Sequence, residues 1–379
     1  MARALWRASA GIGAAHEKVV GVDLLRTPTL ALVAAGDASG SPDPSVDAVR
    51  RLAAERGTAL HVCSPASHVE TREIRRTNVV SSVVVDAGLW RSRAVQVARG
   101  AVAAVSLQVG SPPMRIDEWA AGLLRESGAT WALTPSFHVG DAAALDALLA
   151  ATEQVRMPEL VTHLPVDAGV LAPGSIDGFL AALARTRPRP FAFTFTAGGT
   201  PFDRPQTLLG LRRLLAVHPG SHVYGVAPLV AADALAHGAG LVSVGPSALA
   251  PRAPGAEQVA EGPLPALFLE TLLELRSPSD YADWFAGEES PWCDTCAARL
   301  DLFDPTDADR AAIARHNAHA VDDLGRWLLA HDPADRAGAL AARLADALDA
   351  HAALTADLGG AAPVVDATLS ALCALETTT

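Results

Sequence analysis

The sequence has no apolar run long enough to cross a bilayer: stretches such as residues 79–85 are short and broken by serine, far below the ~20 residues that a helical span needs. No membrane association through helices is expected. Cysteine is equally scarce. Four thiols in 379 residues, Cys63, Cys293, Cys296 and Cys373, cannot staple a chain of this length, which excludes a disulfide scaffold and fits a reducing cytoplasm. The first 15 residues carry two arginines but no clear cleavage site before His16, so no secretion signal is expected. Basic charge is in deficit as well. Thirty Lys and Arg against 42 Asp and Glu give a formal net charge of -12, which disfavours a surface coated for a polyanion while leaving the field of a single cleft open. Aromatics make up 5%, so the core must be mainly aliphatic.

What is present is hydrophobic content of 50%, enough for a large core, arranged in short β-branched or aromatic runs that alternate with Ala/Leu-rich segments of helical period. Strands are expected at 83–86, 102–109, 131–135, 160–165, 191–196, 222–226 and 241–244, with amphipathic helices at 176–185, 207–217 and 229–237. Regular βα succession predicts an α/β fold, a (β/α)8 TIM-like barrel with a small C-terminal zinc-binding subdomain and a helical tail. The expected divisions are an N-terminal cap leading into the barrel (1–80), the barrel body (81–276), a Cys/His subdomain with its docking helix (277–330) and C-terminal helices (331–379). Residues 264–276 read as helix. Asp304 reads as the N-cap of a long helix reaching to about residue 330.

Cys293 and Cys296 stand as Cys-Asp-Thr-Cys, a spacing that lets two thiolates hold one tetrahedral ion. On a helix, His316 falls at the edge of the apolar stripe of Ile313, Ala320, Leu324 and Trp327, while His319 projects to one side. Zinc bridging loop to helix would organise an insert poor in apolar residues; a redox pair or two unrelated thiols are the alternatives. Asp86 closes the run Val83-Val84-Val85 and should emerge at the C-terminal mouth of a strand, where barrels place their chemistry. It can serve as a general base, hold the N–H groups of a heterocycle, or cap the next helix. Gly198 and Gly199, after the strand at 191–196, permit close approach of a flat ligand or phosphate, or a tight turn. His163 and Asp167 flank another strand end, with a buried structural histidine as the plainer reading. Arg72, Arg75, Arg76, Arg91 and Arg93 form a basic stretch near Asp86 that suits a solvated helix face or a phosphate track.

Taken in order, these features resemble the tRNA-guanine transglycosylase superfamily, including its 7-deazaguanine DNA-modifying relatives. Val83 to Gly88 resembles the strand that bears the family's base-recognising aspartate, and Thr196 to Pro201 its Gly-rich base-binding segment. His222-Val-Tyr-Gly225-Val-Ala resembles the strand that follows. Cys293-x-x-Cys296 with His316-Asn317-Ala-His319 resembles its zinc site, where a His-Asn-x-His helix supplies the histidine. The resemblance implies base exchange through a covalent enzyme–ribose intermediate, with tRNA or DNA and a purine or 7-deazapurine base as partners, and dimers formed through the zinc region. The family's nucleophilic aspartate aligns with Ser243, and its first zinc cysteine with Pro291, so a fourth ligand would come from Glu288, Glu289, His319 or water. Two functions follow: a transglycosylase-like protein in which Asp86 acts on the base and Gly198, Gly199, Ser243 and His163 bind it, or an inactive homologue acting as the partner subunit of an active base-exchange enzyme, in a homodimer or heterodimer. In the first, Asp167 or Asp203 would have to replace the missing carboxylate.

Overall fold

The computed structural model describes residues 28–33, 44–64, 66–77, 82–91, 95–98, 101–104, 113–244, 266–285, 291–304, 309–358 and 364–377. Arg93, Glu288, Glu289, the stretch 105–109 and the proline-rich segment 250–265 lie outside them.

Eight parallel strands form a closed ring: β1 (Thr29–Val33), β2 (Ala59–Cys63), β3 (Val83–Asp86), β4 (Trp131–Leu133), β5 (Leu160–Asp167), β6 (Phe191–Thr196), β7 (His222–Val226) and β8 (Leu241–Val244). Each pairs with its neighbours in chain order, and β1 closes the ring against β8, with Ala31 level with Ser243. The fold is therefore the TIM-barrel type that the βα alternation predicts. Helices wrap it in sequence: α1 (Pro44–Arg56), α2 (Ser67–Thr77), α3 (Ile116–Ser127), α4 (Ala142–Thr152), α5 (Ile176–Ala184), α6 (Pro205–Val217) and α7 (Pro228–Ala236). Strands buried on both faces need apolar side chains at nearly every position, which is why they read as unbroken runs such as FAFTFT and VVVD.

The expected cap at 1–80 is corrected: β1 and β2 are members of the ring, so a division at residue 80 cuts through it. Of the strand expected at 102–109, the described residues 102–104 lie outside the ring: Ala101–Ala104 pairs antiparallel with Val95–Ala98 and Met114–Arg115 in a small sheet inserted between β3 and α3. The helix expected over 264–276 is instead a hairpin, Leu267–Leu269 paired with Glu274–Arg276, its turn carrying Leu273 at φ 52.

After β8 the chain adds α8 (Pro278–Trp284), a two-residue ladder of Trp292–Cys293 against Ala298–Arg299, and α9 (Arg310–Leu329). Asp309, not Asp304, precedes the helix, and its carboxylate accepts the Asp304 N–H at 2.8 Å. α9 packs against α1, α7 and β1, and so fills the eighth position in the outer layer. Asp322 of α9 is buried, accepting from Arg56, Thr58 and Arg326, which fixes the helix to the α1–β2 corner. Then α10 (Arg336–Asp357) and α11 (Ala367–Glu376) lie over α7 and α6, respectively.

Packing between layers is tight at Gly210 of α6, where a Cβ would stand 2.0 Å from the Leu171 carbonyl oxygen. Backbone cannot yield as a side chain does. Gly210→Ala should therefore cost at least the roughly 1–3 kcal/mol of ordinary overpacking; a denaturant midpoint equal to that of the native chain would contradict this contact.

Candidate metal centre and barrel mouth

The ladder of Trp292–Cys293 and Ala298–Arg299 turns the chain so that Cys293 and Cys296 face one point, and the Cys296 N–H donates to the Cys293 sulfur at 3.4 Å. His316 and His319, three residues apart on α9, project to the same point. One donor atom from each of the four lies within 4.8 Å of all the others. Cys293 Sγ and Cys296 Sγ are each 3.2 Å from His319 Nε2, and Cys296 Sγ is 3.7 Å from His316 Nδ1. Two sulfurs and two imidazole nitrogens at these separations can hold a metal ion.

The outer contacts fit that use. His316 Nε2 donates to the Phe268 carbonyl at 2.9 Å, which fixes the tautomer and leaves the Nδ1 lone pair aimed at the centre. Asp323 Oδ2 stands 3.6 Å from His319 Nδ1. Between the two histidines, Asn317 donates to the Ala266 carbonyl and accepts from the Phe268 N–H, at 2.7 and 2.8 Å, so one amide clamps the hairpin edge to α9. Burial, then the His316 ring, pushes His319 down to about 4, and burial also lowers His316, so both imidazoles are neutral near pH 7. Burial and the Cys293 thiol push Cys296 up to about 12. A dication bound there would supply the missing positive charge and reverse that preference.

The expectation that His319 points aside is corrected. α9 buries more than one stripe: Ala320 and Leu324 face the barrel, while His316 and His319 face the hairpin and the cysteine loop. Pro291 lies at the foot of the ladder, its carbonyl accepting from Leu300.

Inside the ring, alternation along each strand points Ala59, His61 and Cys63, Val84 and Asp86, Val161 and His163, His222 and Tyr224, and Leu241 and Ser243 inward. Asp86 ends β3 as expected, level with Cys63 of β2. Its environment is closed. Oδ1 accepts the Gly88 N–H at 2.8 Å, while Oδ2 accepts the Cys63 thiol at 3.1 Å and the Trp90 indole N–H at 3.2 Å. Gly88 sits at φ 63, which lets the chain reverse immediately and carry Trp90 inward. Trp90 is 2% exposed and its ring edge meets His163, 6.2 Å between centroids. Burial pushes the Asp86 carboxyl up, but His163, His61, Gly88 and Cys63 together hold it below the usual range. Burial keeps His61, lowered to about 4, and His163 neutral at pH 7, which leaves the N–H and S–H donors as the groups that sustain the carboxylate.

Of the other expected site residues, His163 and Ser243 are engaged in the interior. His163 is fully buried with both nitrogens engaged, to Ser136 Oγ at 3.1 Å and Thr194 Oγ1 at 2.9 Å, so it has no free nitrogen for a base. Ser243 Oγ is also fully buried, accepts the Gly225 N–H at 2.9 Å and lies 3.1 Å from His61 Nδ1. Gly198 and Gly199 are exposed in the loop after β6, with nothing near the place a Cβ would take. Asp167 is exposed and accepts the Gly169 N–H; Asp203 accepts from Thr200. Neither carboxylate is among the groups acting on Asp86. Arg72 and Arg76 lie on the exposed face of α2, Arg75 bonds Thr130, and Arg91 covers the Trp90 ring. His61, Cys63 and Trp90 were not singled out from the sequence, though the spacing of His61 and Cys63 two apart on a strand was the available signal.

No protein-family model matches the chain, and no curated protein matches it. Among solved structures it is similar to active domain 2 of a thermostable chitinase from Pyrococcus furiosus, at 15% identity and a TM-score of 0.33, covering 57% of this chain and 82% of that one. A likeness of that size carries nothing about activity. Among the described residues, no helix is long and apolar enough to cross a membrane.

Proposed function

We propose that the chain is a divergent, catalytically silent member of the transglycosylase superfamily that serves as a binding or partner subunit of an active base-exchange enzyme. The observation that carries this reading is the closure over Asp86: its oxygens are taken by Gly88, Cys63 and Trp90, and the nucleophile's position holds a buried serine already in use. Glycosyl transfer through a covalent intermediate needs a carboxylate free to attack the anomeric carbon. Ser243 and its surroundings offer none.

The ion we assign to Cys293, Cys296, His316 and His319 is zinc, because two thiolates with two imidazoles form a closed tetrahedral set of the structural kind, poorly suited to magnesium or calcium. Its role is to fold the insert against α9. Trp292 and Leu302 flank this centre, 58% and 68% exposed, and they supply apolar surface for the partner, a second copy or a catalytic homologue. The purified chain, given tRNA or double-stranded DNA and radiolabelled guanine, is expected to incorporate no label above the protein-free blank. Label that enters the nucleic acid in proportion to the chain added would overturn the reading.

A further inference from the structure

We infer that His61, Cys63 and Asp86 form a second metal site, for a divalent ion of the zinc class, inside the C-terminal end of the barrel. Two strands build it. His61 and Cys63, two apart on β2, both point inward, and Asp86 on β3 is level with Cys63. One donor atom from each lies within 4.8 Å of the other two, and all three residues are buried.

The decisive feature is His61. The residue is 4% exposed and its Nε2 has no hydrogen-bond partner; Asp86 Oδ2 stands 3.9 Å away, beyond hydrogen-bond reach. A buried polar atom left idle is costly, and such atoms are usually matched by an ion or water. The opposite nitrogen is already oriented. Ser243 Oγ, 3.1 Å from Nδ1, has two lone pairs, and can accept from both Gly225 N–H and His61 Nδ1–H. That tautomer presents the Nε2 lone pair to Cys63 and Asp86, as the outer partner of a metal-bound histidine does.

Charge balance favours a dication. On binding, a metal–sulfur bond replaces the Cys63 S–H bond and the proton leaves to solvent; thiolate and carboxylate then neutralise the two positive charges within a buried space. The mixed nitrogen, sulfur and oxygen set suits zinc better than magnesium or calcium, and three protein donors leave one position for a small ligand such as water. This inference needs no transglycosylase reading, although it reuses Asp86 and Cys63, the pair whose contact closes the barrel mouth.

The test is zinc content per chain, measured by elemental analysis after loading the full-length protein with zinc and desalting it. Two equivalents are expected, falling to one in Cys63→Ser and in His61→Ala. Circular dichroism checks that each variant is folded, and the native stoichiometry stands whether or not they are. A native stoichiometry of one that falls to none in Cys63→Ser would still support the barrel site and count against the C-terminal one. One equivalent unchanged by Cys63→Ser, or none at all, would overturn it.

Discussion

Removal by a strong chelator of the ion proposed at Cys293, Cys296, His316 and His319 should open the loop at 291–304 to protease while the barrel stays folded. The reason lies in how little else holds that loop. Its ladder is two residues per strand, and the apolar cluster beside it is small: Leu267, Leu269, Leu272, Tyr281, Leu300, Phe303 and Ile313, with Cys293 and Cys296 packed on its edge. Structural zinc contributes about 10–16 kcal/mol to the folding of isolated zinc-finger peptides. Here the cluster and the Asn317 clamp carry part of the load, so the expected loss is several kcal/mol of local stability and not complete unfolding. α9 itself should remain docked, because Asp322 ties it to Arg56 and Thr58 without help from the ion. Limited proteolysis with mass mapping reads the result. Cleavage confined to 291–304 after chelation is expected; identical fragments with and without chelator would contradict a metal-dependent fold there.

Acid should weaken the barrel well before ordinary carboxylates titrate. His61 and His222 lie inside the ring, and burial lowers each from its usual 6.5 to about 4. The unfolded chain therefore takes up protons first as pH falls, so the stability these rings contribute is complete above about pH 6.5 and is lost progressively toward pH 4. The difference corresponds to roughly 3 kcal/mol for each ring as an upper figure. The ion inferred at His61 would act with the same sign, since metal and proton compete for Nε2. Urea midpoints measured from pH 7 to pH 4 should fall steadily, and His222→Phe should flatten the slope. Midpoints that hold constant across that window would contradict neutral, buried imidazoles in the ring.

Much of the barrel was legible because strands buried on both sides leave a plain sequence mark. The runs at 83–86, 191–196, 222–226 and 241–244 coincide with β3, β6, β7 and β8. Ring membership was harder to read. Nothing in the five residues Ala59–Cys63 says which neighbours they pair with, and pairing is what places β1 and β2 in the ring. The hairpin at Leu267–Arg276 reads as helix because Leu and Glu favour helices, and tertiary contacts override that preference: Asn317 takes both backbone groups of its edge.

The same limit governs the sites. Cys293, Cys296 and His316 were legible from spacing, since a loop pair and a helical histidine form a recognisable donor set. His319 stood only among the candidates for a fourth ligand, because a single-stripe reading of α9 ignores a helix with two buried faces. The closure over Asp86 was out of reach. Trp90 comes back to the carboxylate only because Gly88 adopts a left-handed turn, and the thiol beside it arrives from another strand.

Whether any carboxylate in this barrel attacks a sugar is tested most directly by covalent trapping. The full-length chain is incubated with tRNA or DNA and a deazapurine, beside Asp86→Asn, and resolved by denaturing electrophoresis. No shifted protein–nucleic acid band is expected from either protein. A band formed by the native chain and absent from Asp86→Asn would contradict the silent-subunit account.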